Sequence, residues 1–219
     1  MNLVVIDLDD TLFCEQSYVE SGFRSVARYI AKYNNIDDSV VFNQIKYQFN
    51  KYGRINVFDR TLSYFGFTNS IINDLVSVYR EHYPDIELYC GVKRALEKLN
   101  RNFRTAIITD GESVVQKRKV DALKLSGMVN EIVYCMDYNA PKPSPISYKI
   151  LADKMKINIS NMIIVGDDPY TDMKVASILQ IPSYRVFTGK YVNITSLSDA
   201  LPKESFDSFY MVASYLEKQ

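Results

Sequence analysis

Two aspartates, Asp7 and Asp9, stand two residues apart directly behind the apolar run Leu3-Val4-Val5-Ile6. Carboxylates at that spacing, just past a strand, can face one site while Leu8 between them points back into the core. Such a pair needs a cation, or mutual repulsion raises one of the two pKa values. Three further patches carry chemistry of a matching kind. Thr109-Asp110-Gly111 offers a hydroxyl and backbone N–H groups freed by a glycine turn, which suits a phosphoryl oxygen. Lys142 lies in Lys-Pro-Ser-Pro, where two prolines restrict the backbone around an ammonium able to neutralise phosphate and carboxylates. Gly166-Asp167-Asp168 with Asp172 supplies more of the oxygen ligands that Mg²⁺ prefers. Each fragment alone has a plainer reading: a solvated acidic turn, an ordinary Thr-Asp-Gly turn, a surface lysine in a proline-rich loop, and an acidic helix N-terminus.

What distinguishes the four patches is where they fall. Continuous apolar runs at 3–6, 105–109, 131–135 and 162–165 read as strands buried on both faces, as in a parallel sheet. Helical spacing lies between them, at Val92, Ala95, Leu96 and Leu99, then from Val114 to Leu125 with Gly127 as a closing C′ glycine. It recurs at Ile146, Ile150, Leu151 and Met155, at Met173, Ala176 and Leu179 ahead of Pro182, and at Phe206, Phe209, Tyr210 and Ala213. Alternating strand and helix implies right-handed βαβ units and a doubly wound, Rossmann-like α/β sheet. Roughly 75 residues between the first strand and the helix near Gly91 break this rhythm. Their apolar residues, among them Tyr18, Phe23, Val26, Ile45, Leu62 and Leu75, follow helical spacing, so an inserted helical domain is expected.

Composition narrows the chemistry. The chain has 219 residues, with 26 basic and 26 acidic side chains, one histidine and three cysteines. A balanced charge carries no basic footprint for nucleic acid. His82, Cys14, Cys90 and Cys135 are too few and too scattered for a zinc finger, an HExxH site or a disulfide framework. No stretch approaches roughly 18 uninterrupted apolar residues, and the start of the chain lacks a signal-peptide core, so no membrane and a cytoplasmic location are expected. The sequons at Asn158 and Asn193 are then accidental. His82 is read as structural.

Taken in order, Asp-x-Asp-x-Thr, Thr, Lys-Pro and Gly-Asp-x-x-x-x-Asp, each at a strand end, resemble the motifs of the haloacid dehalogenase (HAD) superfamily from Leu3 to about Phe187. The resemblance implies a HAD core at 1–14 and 89–219 and a helical C1 cap domain at 15–88. It implies an aspartyl-phosphate mechanism with Asp7 as nucleophile and Asp9 as acid and base. Mg²⁺ would be held by Asp7, the Asp9 carbonyl and Asp167. Thr109 and Lys142 would bind phosphoryl oxygens, with backbone N–H groups rather than side chains from Asp110 and Gly111. Thr11, Asp168 and Asp172 would support the site. Dehalogenase- and phosphonatase-type members lack the second acid, so Asp9 favours a phosphatase. A phosphomutase of the β-phosphoglucomutase type and a noncatalytic binding protein retaining the fold are the alternatives. The expected partner is a small phosphorylated metabolite, such as a sugar phosphate, phosphoglycolate or a nucleotide monophosphate, and the expected state a monomer or homodimer. In this family the cap closes over the site, excludes bulk water and sets substrate choice, which makes Phe13, Glu15, Tyr18, Arg54 and Arg60 substrate-contact candidates.

Overall fold

A computed structural model describes residues 2–219. Six strands, β1 (Leu3–Ile6), β2 (Arg104–Thr109), β3 (Glu131–Tyr134), β4 (Met162–Gly166), β5 (Ser183–Val186) and β6 (Glu204–Phe206), form one sheet. Its order is β3-β2-β1-β4-β5-β6 and every pairing is parallel. β1 lies at the centre, with Ile6 opposite both Ile107 and Val165. The chain runs from β1 outward through β2 and β3, then returns to place β4 on the other side of β1. That reversal makes the C-terminal edge between β1 and β4 the switch point, where α/β sheets bind ligands.

The sheet is buried on both faces, as the unbroken apolar runs of β1, β2 and β4 require. Leu3, Val5, Ala106, Ile108, Met162 and Ile164 point to one face. They pack there with Tyr148, Leu151 and Met155 of α7 (Ile146–Met155) and Val175 and Ala176 of α8 (Asp172–Leu179). Val4, Ile6 and Ile107, equally buried, point the other way. Two more helices, α5 (Val92–Leu99) and α9 (Phe209–Leu216), pack on one another, and Lys98 reaches Glu217 at 3.0 Å.

Local structure departs from the sequence reading in three places. The helix expected to run from Val114 to Leu125 is α6, Ser113–Ala122. Gly127 is not its C′ glycine: the left-handed turn is taken by Lys124, and Gly127 ends a separate 3-10 turn. β5 and β6 were not expected as strands, because Ser183-Tyr184-Arg185-Val186 mixes polar and charged residues with apolar ones. Yet Arg185 is fully buried, its guanidinium satisfied by backbone carbonyls.

The described residues divide into two compact units, 2–15 with 86–219, and 16–85. The second is helical: α1 (Glu15–Asn34), α2 (Asp38–Tyr52), α3 (Val57–Phe65) and α4 (Ile72–Glu81). Its own core gathers Val19, Phe23, Val26, Ile30, Val41, Ile45, Phe58, Leu62 and Leu75. Phe23 meets Phe49 and Phe58 edge-on. Asp37 caps α2 by accepting from the Ser39 amide at 2.7 Å. His82 is buried against Tyr18, its Nδ1 2.6 Å from the Tyr79 carbonyl. Among the described residues no helix is long and apolar enough to cross a membrane.

Candidate active site

The strand ends place the chemistry. β1 stops at Ile6 and hands over to Asp7, whose amide still donates to the Val165 carbonyl at 2.9 Å. β2 stops at Thr109, and β4 passes through Gly166 into Asp167. Because β1 lies between β2 and β4, these three ends converge. Thr11 donates toward Asp7 Oδ2 at 3.2 Å, with Asp167 Oδ1 3.4 Å away, so one hydroxyl stands between two carboxylates.

Lys142 enters from the loop before α7. Its Nζ lies 2.5 Å from Asp7 Oδ1 and 2.7 Å from Asp172 Oδ1, and all three side chains are buried. Asp172 is thereby a lysine anchor; its second oxygen accepts from the Asp168 amide at 3.3 Å. A Cβ at Gly166 would stand 2.2 Å from that same oxygen, so only glycine lets the end of β4 approach the first turn of α8 so closely. The Asp110 side chain, for which no part was expected, is engaged as well. Both carboxylate oxygens accept from the Lys142 amide, at 3.1 and 3.0 Å, and fix the segment that carries the ammonium. Gly111, at φ +106°, makes the turn beside it.

These groups surround a cavity of about 280 Å³ lined by acidic residues, Glu15 and Asp168 among them, and by Lys142, Lys190 and Tyr191. Burial pushes the Asp7 carboxyl up to about 8; Lys142 opposes the shift and Asp172 adds to it. Burial, reinforced by Asp7 and Asp172, pushes Asp167 up to about 9. Burial also raises Asp172, against the pull of Lys142. For Lys142 burial disfavours the charge, but Asp172 and Asp7 outweigh it and hold the ammonium well above its ordinary range. One ammonium, paired with Asp7 and Asp172, thus serves a group of three buried carboxylates, Asp7, Asp167 and Asp172, which bring one oxygen each within 4.8 Å of the others. That surplus of hard oxygen donors fits a divalent cation such as Mg²⁺.

Asp9 also lines the cavity. Its Oδ1 is 2.6 Å from Lys119 Nζ and its Oδ2 2.7 Å from Gln116 Nε2, both on α6. The same Gln116 amide reaches Thr109 Oγ1 at 2.5 Å. Thr109 is fully buried and stands behind the cavity wall.

Asp10 serves the backbone. Left-handed at φ 56°, it accepts from the amides of Glu15 at 2.8 Å and Lys190 at 3.2 Å, and its carbonyl accepts from the Thr188 hydroxyl. Arg185 ties the same loop to Asp167: Nε donates to the Asp167 carbonyl at 3.0 Å, while its terminal nitrogens donate to the Ile194 and Tyr191 carbonyls at 2.8 Å.

Among the substrate-contact candidates, Glu15 lines the cavity. Phe13 is fully buried, and the Lys119 ammonium lies 5.8 Å from its ring centre, so Phe13 presents no face to a substrate. Tyr18, Arg54 and Arg60 belong to the helical unit. Tyr18 is buried, Arg54 exposed, and Arg60 donates to the Gly53 carbonyl at 3.0 Å. Sequence reasoning missed Gln116, Lys119, Arg185, Lys190 and Tyr191. None of them carried a local signal, since polar residues on a helix or in a loop ordinarily face water.

A model of haloacid dehalogenase-like hydrolases matches residues 4–186. The chain belongs to that family. The curated relatives that it matches are phosphatases. The glyceraldehyde 3-phosphate phosphatase of Methanocaldococcus jannaschii is 25% identical over 218 residues, covering 86% of each chain. That of Methanopyrus kandleri is 20% identical over 210 residues, covering 90% of this chain and 88% of its own. The HAD-hydrolase YfnB from Bacillus subtilis, solved bound to magnesium, shares the fold with a TM-score of 0.68 at 14% identity, over 98% of each chain.

Proposed function

We propose that the chain is a Mg²⁺-dependent phosphomonoester hydrolase that transfers the phosphoryl group of a small metabolite to Asp7 and then to water. The observation that carries this reading is the buried Asp7–Lys142–Asp172 arrangement at the cavity, with Asp167 beside it and a second acid, Asp9, lining the same cavity. Mg²⁺ would be held by a carboxylate oxygen of Asp7, the backbone carbonyl of Asp9 and Asp167, and when bound it supplies the charge that lets an anionic carboxylate approach an anionic phosphate.

The residues then divide the work. An Asp7 oxygen attacks phosphorus in line, the bond to the leaving oxygen breaks, and Asp9 gives that oxygen a proton. In the second half Asp9 takes a proton from water as that water attacks phosphorus. The bond to Asp7 breaks and inorganic phosphate leaves. Lys142, held by Asp172 and by Asp110 through its amide, binds the transferring oxygens together with the backbone N–H groups of Asp110 and Gly111. Thr109 accepts from Gln116 while its own hydroxyl points to the Asp110 carbonyl at 3.5 Å, a long contact that it would exchange for a phosphoryl oxygen. Thr11 steadies Asp7, and Asp168 lines the rim.

A cavity of about 280 Å³ lies near the small end of the range for ligand pockets and suits a small metabolite. The sequence relatives make glyceraldehyde 3-phosphate the first compound to try. The test is phosphate release from a panel of phosphorylated metabolites with Mg²⁺. Release that EDTA abolishes is expected. Interconversion of a hexose 1-phosphate to its isomer without phosphate release contradicts hydrolysis.

A further inference from the structure

The reading of Asp9 as the acid and base assigns no role to the two α6 side chains that grip it. Lys119 is a lysine with 4% exposure, an unusual place for an ammonium unless it is paired. Its Nζ sits 2.6 Å from Asp9 Oδ1 and 5.8 Å from the centre of the buried Phe13 ring. Gln116, at 1% exposure, places one amide nitrogen 2.7 Å from Asp9 Oδ2 and 2.5 Å from Thr109 Oγ1. The two are three residues apart, so one helix face presents both. The Asp9 side chain keeps 24% exposure and lines the cavity. Each carboxylate oxygen has two lone pairs. Contacts from the α6 side engage one on each oxygen and leave the cavity side open to a leaving oxygen.

We propose that Lys119 and Gln116 are positioning residues for proton transfer: they fix the rotation of the Asp9 carboxylate, and Gln116 ties that orientation to the phosphoryl-binding hydroxyl of Thr109. The inference rests on Asp9 being the acid and base. Misplacing a reacting group by about an ångström costs on the order of 100-fold in rate, and the cost falls on substrates that need the proton.

The test is the leaving-group dependence of kcat/KM for 4-nitrophenyl, phenyl and 4-methoxyphenyl phosphate, in the parent and in Asp9→Asn, Lys119→Met, Lys119→Arg and Gln116→Leu, each checked for folding by circular dichroism. 4-Nitrophenolate leaves readily without a proton; the other two do not. Lys119→Met and Gln116→Leu are expected to lose at least about 10-fold more on phenyl phosphate than on 4-nitrophenyl phosphate, following Asp9→Asn in direction. Lys119→Arg, which keeps a cation, is expected to stay near the parent slope. An equal fall on all three esters, or none, in the Lys119→Met and Gln116→Leu variants while Asp9→Asn steepens the dependence overturns the positioning role alone. A parent-like slope in Asp9→Asn overturns the acid–base reading beneath it. If Lys119→Met does not fold, Gln116→Leu decides by the same criteria.

Discussion

Lys142 and Asp7 form the tightest charged contact of the site, yet they answer opposite needs. Asp7 is a buried carboxylate among others, so its charge is a burden on the fold. Lys142 is the buried ammonium that offsets Asp7 and Asp172. Asp7→Asn should therefore abolish turnover of 4-nitrophenyl phosphate, by ~10³-fold or more, while the variant melts in EDTA no lower than the parent. Lys142→Met should lose activity too, but with destabilisation of about 3–5 kcal/mol in EDTA, because two buried carboxylates lose their shared cation. Comparing the two melting curves checks the assignment, and equal destabilisation would contradict it. At this scale the sequence was informative wherever a residue type is rare at a strand end. Asp7, Asp9, Asp167 and Lys142 were legible for that reason. Lys119 was not, since a lysine on an amphipathic helix ordinarily faces water and nothing local marks it as buried.

At the scale of elements, the loop after β5 is held by a contact that tolerates no side chain. Gly189 has φ +65°, and a Cβ there would lie 2.0 Å from Asp10 Cγ. Gly189→Ala should cost roughly 1–3 kcal/mol through strain and clash, and should displace Lys190 and Tyr191 at the cavity rim. Calorimetry with KM measurements checks this: a fall in stability with a raised KM is expected, and an unchanged KM contradicts the placement of the loop. β1, β2 and β4 were legible because strands covered on both faces must be continuously apolar. β5 was not, because the centre of the strand carries an arginine that holds loops together from within. β6 is three residues long and lies at the sheet edge, too short for any periodicity to show. The helical unit was legible as a domain from its spacing alone, though its aromatic packing could not be derived from sequence.

For the whole molecule, a net charge of zero conceals a strongly uneven distribution. Asp7 and Asp167 hold protons to about 8 and about 9 in the fold, against an ordinary value of 3.8. Between those limits the metal-free folded state binds more protons than the unfolded chain, so its stability falls as pH rises. The melting temperature in EDTA should decline from about pH 5 to about pH 9. Mg²⁺ binds the ionised carboxylates and should raise the melting temperature more at the alkaline end. A metal effect that is absent, or larger at acid pH, would contradict a carboxylate metal centre. The scarcity of histidine has the same explanation: the chemistry assigned to this molecule runs on carboxylates and one lysine.

The central claim is a covalent phosphoenzyme on Asp7, and borohydride trapping during turnover tests it most directly. The enzyme is mixed with 4-nitrophenyl phosphate and Mg²⁺, quenched, reduced and digested, and the N-terminal peptide is analysed by mass spectrometry. Reduction of the acyl phosphate should convert Asp7 to homoserine, in a substrate-dependent manner and at no other aspartate. Turnover with Asp7 unmodified, or reduction at another carboxylate, would contradict the mechanism.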